Sequence, residues 1–173
     1  MNEAIRNLLT RRSVRAYKQE QITEEELNQI LEVGTYAPTA MGEQSPIMVV
    51  VQDPETIQRL SRLNAQVMGV TSDPFYGAPT IVVVFAEKGS GVGIQDASLV
   101  MGNLMNAAAA LGVASCWIHR AEEEFELPEG IEILKDWGID ADKYVGVAHC
   151  ILGYAKGEAP KAKPRKQDYI RRV

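Results

Sequence analysis

With 173 residues, 46% of them hydrophobic and 24% charged, the chain has the apolar content for one packed core, which excludes a disordered, collagenous or disulfide-scaffold protein. Its formal net charge of -5 disfavours wide nucleic-acid contact, although basic residues gather at Arg11 to Arg15 and again at Lys161 to Arg172. The longest apolar stretch, Ala107 to Ile118, is broken by Gly112 and Ser115 and is too short for a membrane helix.

The N-terminus lacks the basic and apolar regions of a secretory signal, so a cytoplasmic protein is expected, with residues 1–173 as a single domain. Ile5, Leu8 and Leu9 fall at helical spacing and predict a helix over residues 2–10. Thr23 and Glu26 have the spacing of a capping box, opening a helix that carries Leu27, Ile30 and Leu31 and ends near Gly34. Residues 37–46 are rich in Pro, Gly and small side chains and read as a loop, delivering the chain to a strand from Ile47 to Gln52. Asp53 followed by Pro54 predicts a capped helix to about Leu63, whereas Asn64 to Gly77 carries no clear pattern.

The β-branched run Ile81 to Phe85 predicts a strand buried on both faces. A long central helix follows from about Ile94 to Leu111, with Ala107 to Ala110 allowing close packing. A strand over Val113 to Ile118, a helix over Phe125 to Trp137 and a strand over Tyr144 to Leu152 complete the order. Beyond Gly153 the apolar content is too low for packing, and an extended tail is expected. This order gives an α+β or α/β sheet sandwiched by helices.

Cys116 and Cys150 lie in apolar runs without CxxC spacing and read as small buried hydrophobes. His119 and His149 fall in different strands with no carboxylate at ligand spacing, so no metal site is expected. Neither a Ser-His-Asp order nor a Gly-x-Ser-x-Gly elbow is visible.

Four motifs in order carry a resemblance. Arg11-Arg12-Ser13-Val14-Arg15-Ala16-Tyr17 resembles the Arg-x-Ser-x-Arg/Lys opening motif of the FMN-dependent nitroreductases, and Ala37-Pro38-Thr39-Ala40 with Gln44 resembles their Ala-Pro-Ser loop. Tyr76-Gly77-Ala78-Pro79 precedes the middle strand as in shorter members, and Lys163-Pro164-Arg165 resembles the closing basic motif. The resemblance implies an α+β fold with a central mixed or antiparallel sheet between helices and an extended C-terminal tail. It also implies FMN as cofactor and a homodimer with FMN sites at the subunit interface. The reaction so implied is hydride transfer from NAD(P)H and reduction of small acceptors such as nitroaromatics or quinones, by a ping-pong mechanism, without nucleic acid or membrane as partner.

The chemistry fits these residue types. FMN phosphate carries about two negative charges, and guanidinium forks bind phosphate oxygens bidentately. Arg11 and Ser13 are therefore placed at the phosphate and ribityl end. If the segment is extended, alternation puts residues 11, 13 and 15 on one side and points Arg12 away, though Arg12 stays a candidate contact. By resemblance, Arg15 lies at the pyrimidine edge, where a fixed cation stabilises the charge that reduction leaves at N1 and O2. Lys163 and Arg165 share a side across Pro164 and close the phosphate site with Arg11.

By resemblance too, Pro38, Thr39, Ala40 and Gln44 form a lid from the second subunit, and Ile118, His119 and Arg120 bring a backbone N–H to flavin N5. Hydride chemistry at N5 requires no general acid, so no side chain is assigned as a certain catalytic group beyond Arg15 as electrostatic stabiliser. The chain departs from the family pattern where it has Gly42, and then Gln44-Ser45-Pro46, in place of Asn and Gln-Pro-Trp.

Two alternatives compete. Gly89-Ser90-Gly91-Val92-Gly93 follows a buried strand and precedes a long helix, as in an NADP-binding Rossmann reductase, but its third glycine is misplaced for G-x-G-x-x-G. The other is a flavin-binding protein without turnover, since the cofactor leaves few catalytic side chains to read.

Overall fold

The computed structural model describes residues 1–173. Helix α1 spans Glu3–Thr10 and α2 spans Glu24–Thr35. The expected capping box at α2 is present: the Thr23 side chain accepts from the Glu26 N–H, and Glu26 Oε2 accepts from the Thr23 N–H at 2.8 Å. Glu26 also accepts from the Tyr154 hydroxyl at 2.7 Å, and these hydrogen bonds hold its carboxyl below the usual carboxylate range. Strand β1 is Ile47–Val51. Helix α3, Pro54–Met68, is capped by Asp53 as expected but runs past Leu63 to a left-handed Gly69, so Asn64 lies within it.

Strand β2 is Thr80–Glu87, helix α4 is Gly93–Ala110 and strand β3 is Ala114–Ile118. One helix was expected over Phe125 to Trp137; the structure has two, α5 at Ala121–Glu126 and α6 at Pro128–Asp136. Pro128 accounts for the break, because it forces the preceding Leu127 into extended backbone at φ -68, ψ 149. Strand β4 is Tyr144–Gly153. Single 3-10 turns occur at Ala40–Gly42 and, within the otherwise extended tail, at Gln167–Tyr169.

The sheet order is β1-β2-β4-β3, and every neighbouring pair is antiparallel. This overturns the Rossmann alternative, which needs adjacent parallel strands; Gly89 and Gly91 lie in the turn between β2 and α4, and Gly93 begins α4. Alternation along β2 divides the interior. Ile81, Val83 and Phe85 enter a core with α3, α5 and α6, whereas Val82, Val84 and Ala86 enter a second core with α2 and α4. No helix is long and apolar enough to cross a membrane.

Candidate functional site

Edge strand β3 gathers the first group of residues. Ser13 bridges Ser115 in parallel fashion and the Val14 N–H donates to the Ser115 carbonyl at 3.0 Å, so the Arg11–Arg15 segment runs beside β3. At the far end of β3, Ile118 is buried and His119-Arg120 turn the chain into α5. Strict alternation does not persist through the motif. Val14 and Tyr17 are both buried, with Arg15 and Ala16 exposed between them, because Tyr17 leaves β3 to bridge Ala155. The Tyr17 hydroxyl donates to the Val14 carbonyl at 2.8 Å and so ties this bend; burial pushes its pKa up.

The arginines of this segment divide by environment. Arg12 Nη1 donates to the carbonyls of Leu9 and Arg11 at 2.9 and 2.7 Å, which makes Arg12 a cap for the end of α1. Arg11 Nη1 is buried and has no hydrogen-bond partner. Its charge is felt at Cys150, whose thiol is pushed up to about 12 by burial and by Cys116, with Arg11 opposing. A buried guanidinium nitrogen without an acceptor costs desolvation that nothing in the chain returns. An anion at that point would supply the acceptor.

The β3–α5 turn is locked from below. Arg120 has φ 77 and ψ 16, a left-handed conformation that a non-glycine residue adopts at a cost of about 1–2 kcal/mol. Asn64, fully buried on α3, donates to the His119 carbonyl at 2.8 Å and to Glu124 Oε2 at 3.0 Å, and accepts from Arg120 Nε at 3.2 Å. Glu124 in turn lies 3.3 Å from His149 Nε2, both side chains fully buried, so His149 has the carboxylate neighbour that sequence spacing did not show. The His119 and Arg120 N–H groups donate to nothing in the chain. His119 stands just past β3 with its side chain exposed.

The lid candidates lie elsewhere. Asp96, buried in the first turn of α4, accepts from the Ala40 N–H at 3.1 and 3.2 Å, while Asn7 of α1 donates to the Asn106 carbonyl near the other end of α4. Ten residues of helix separate those anchor points, a span of about 15 Å. Within one chain the loop is therefore held away from the α1–Arg11 end. Pro38 and Gln44 are exposed, Thr39 Oγ1 accepts from the Gln44 N–H at 3.0 Å, and Met41 at the tip is 95% exposed. Gly42 sits at φ 70, a conformation that glycine and asparagine both tolerate, so Gly in place of the family's Asn preserves the backbone while removing a side chain.

Lys163 and Arg165 belong to a tail in which every residue from Gly157 to Val173 is exposed, and the structure gives them no hydrogen bond or ion pair that joins them to Arg11. A cavity of about 630 Å³ lies between α3 and the loop after it, lined by Gln19, Gln21, Gln52, Arg62 and Asp73 among others, and includes no candidate residue. Sequence reading missed Asn64, Asp96 and Glu124. The available signal was a polar residue on an apolar helix face: Asn64 follows Leu60 and Leu63, and Asp96 precedes Ala97 and Val100.

The sequence model of the Nitroreductase family matches residues 8–74 and 64–154. A protein of Archaeoglobus fulgidus named as an NADH dehydrogenase/NAD(P)H nitroreductase is 31% identical over 163 residues, covering 91% of this chain and 88% of that protein. The crystal structure of a nitroreductase with bound FMN from Bacteroides fragilis superposes with a TM-score of 0.92 at 30% identity over 100% of both chains. A second, also with bound FMN, from Desulfitobacterium hafniense, superposes with a TM-score of 0.89 at 26% identity over 100% of this chain and 99% of that one.

Proposed function

Because the chain belongs to the nitroreductase family, we propose that it is an FMN-dependent oxidoreductase that takes hydride from NADH or NADPH and reduces a small acceptor such as a nitroaromatic or quinone. The observation that carries this reading is the buried, unpartnered Nη1 of Arg11 beside edge strand β3, at whose end the His119 and Arg120 N–H groups also lack acceptors. A phosphate answers the first need and the ring heteroatoms of a flavin answer the second, so the residues fit FMN.

Arg11 and Ser13 would hold the phosphate, with Lys163 and Arg165 closing on it from the tail. Arg15 would stand at the pyrimidine edge as a fixed cation. When bound, FMN supplies hydride transfer at N5. The turn at Ile118-His119-Arg120 would orient that atom with backbone donors. One site then serves reductant and acceptor in turn, which predicts ping-pong kinetics.

A second copy of the chain completes the reading. Helix α1 buries none of its residues, and its apolar Ile5, Leu8 and Leu9 are 49%, 55% and 58% exposed. Met41 of the loop and Tyr169 and Ile170 of the tail are exposed as well. The homodimer brings the Pro38–Gln44 loop of one copy to the Arg11 end of the other, a distance the loop does not cover in its own chain.

Purified protein is expected to be yellow and to release FMN, not FAD, on denaturation, as read by chromatography. NADH or NADPH should bleach the bound flavin and a quinone should restore it. Recovery of FAD, or no flavin uptake from excess FMN, would count against the cofactor; uptake without bleaching would favour a binding protein without turnover.

A further inference from the structure

We propose that Asn64 is a positioning residue for the redox site: from beneath, it holds the His119-Arg120 turn in the left-handed conformation that leaves two backbone N–H groups free to face the flavin ring. The inference rests on the FMN reading above and extends it to a residue that touches neither phosphate nor ring.

The side chain is fully buried, and each of its polar atoms is committed. Nδ2 donates to the His119 carbonyl and to Glu124 Oε2, and Oδ1 accepts from Arg120 Nε. One of these contacts holds the carbonyl just before Arg120 and another holds the Arg120 side chain, so both act at the point of strain. Without them, Arg120 gains by relaxing to negative φ, which rotates the peptide plane on which its N–H is mounted. Asn64 is itself fixed, since it lies on α3 between Leu60 and Leu63 on one side and the Glu124 carboxylate on the other. Glu124 is clamped by His149, whose ring packs against Phe75 and Phe125 at centroid distances of 5.1 and 6.2 Å. The core of the α3 face thus sets the geometry of the turn.

Alternative uses of this cluster fit less well. The Glu124–His149 pair is sealed from solvent, and neither ring nitrogen of His149 forms a hydrogen bond, so it lacks a route for proton exchange with the site. Asn64 carries no ionisable group, and it makes the side-chain contacts between the pair and the turn, beside the Glu124 N–H that donates to the Arg120 carbonyl at 3.0 Å.

The test compares wild type, Asn64→Ala and the double variant Asn64→Ala/Arg120→Gly. Glycine occupies left-handed backbone without penalty, so the second change removes the need for the lock. Two readouts are taken: backbone ¹³C shifts at position 120 in the apoprotein, which report the sign of φ without any flavin, and the single-turnover rate of flavin bleaching at saturating NADH or NADPH. FMN affinity and melting temperature are measured alongside. Asn64→Ala is expected to lose the left-handed signature at Arg120 and to bleach at least tenfold more slowly, with FMN affinity within about threefold of wild type, because the phosphate contacts are untouched. The double variant is expected to recover at least half of the lost rate on a logarithmic scale. Should Asn64→Ala fail to fold, Asn64→Ser takes its place with the same expectations.

A retained left-handed signature in the single variant overturns the proposal, as does a bleaching rate within twofold of wild type. A merely structural role would lower the melting temperature and leave both readouts where they are. If wild type binds no FMN, the functional reading fails, and the apoprotein shifts alone decide whether Asn64 holds the turn.

Discussion

The β3–α5 turn and the Pro38–Gln44 loop are both irregular and both contain left-handed backbone, yet they are built in opposite ways. Below the turn, Asn64, Glu124 and His149 form a buried polar chain, and Arg120 is the only residue forced to positive φ. The loop has three residues at positive φ, Met41, Gly42 and Gln44, and one anchor into the core, the contact of Ala40 with Asp96. Its tip presents Met41 to solvent. The loop thus leaves its strained tip unsupported within the chain, whereas the turn is supported from within it. On the proposed function, the site has a self-sufficient half and a half that a second copy would complete.

The largest effect is expected at the phosphate end of the proposed site, which this chain furnishes through Arg11. Arg11→Ala is expected to weaken FMN affinity by about a hundredfold, roughly 2.8 kcal/mol, since a desolvated charge-assisted contact to phosphate is lost. Titration of the apoprotein with FMN, followed by fluorescence quenching, measures it. An unchanged dissociation constant would show that the orphaned Nη1 serves another purpose.

The second half is tested through α1. Leu8→Glu places a charge on a face that is exposed in one chain, so the melting temperature of the monomer is expected to stay within a few degrees of wild type. The dimer should dissociate at micromolar concentration in light scattering, and flavin should be lost with it, because the lid then has no partner site to cover. A variant that remains a flavin-loaded dimer would break the link between the α1 face and the second copy.

What was legible in the sequence follows the range of the interactions. The Thr23–Glu26 box, the Asp53 cap and the two-faced β2 run depend on residues a few positions apart, and all three appear as read. Alternation predicted that Arg11, Ser13 and Arg15 share a side, and it fails at Tyr17 because that residue's position is set by Ala155 on the chain's far side. Asn64 with His119 and Ala40 with Asp96 are separated by 55 and 56 residues, so neither contact leaves a local pattern. The break before Pro128 was readable from the rule for residues preceding proline, whereas the extension of α3 to Gly69 was obscured by the weak periodicity after Leu63.

A smaller effect separates the two ends of the proposed flavin site. Arg165→Ala is expected to weaken FMN binding by about tenfold, less than Arg11→Ala, because the tail is solvent-exposed and its charge is screened. The phosphate charge is the same before and after reduction, so the two-electron potential should hardly move.

Arg15→Ala is expected to do the reverse, and by the smallest margin of the four. Arg15 is exposed between buried Val14 and Tyr17, so its removal leaves no cavity and the fold should be retained. Its guanidinium interacts weakly with neutral oxidised FMN and more strongly with reduced FMN, which carries negative charge near N1 and O2. Deleting it should therefore raise the energy of the reduced form alone and lower the potential. A difference of about 1.4 kcal/mol between the two redox states corresponds to about 30 mV for a two-electron couple. Screening by solvent makes that the upper end of the expected shift, and FMN affinity in the oxidised state should stay within about threefold of wild type. Spectroelectrochemistry with a reference dye, run on wild type, Arg15→Ala and Arg165→Ala in one buffer, resolves the two signatures. Equal potentials for Arg15→Ala and wild type would place Arg15 away from the ring, and a lowered potential in Arg165→Ala instead would exchange the roles assigned to the two ends.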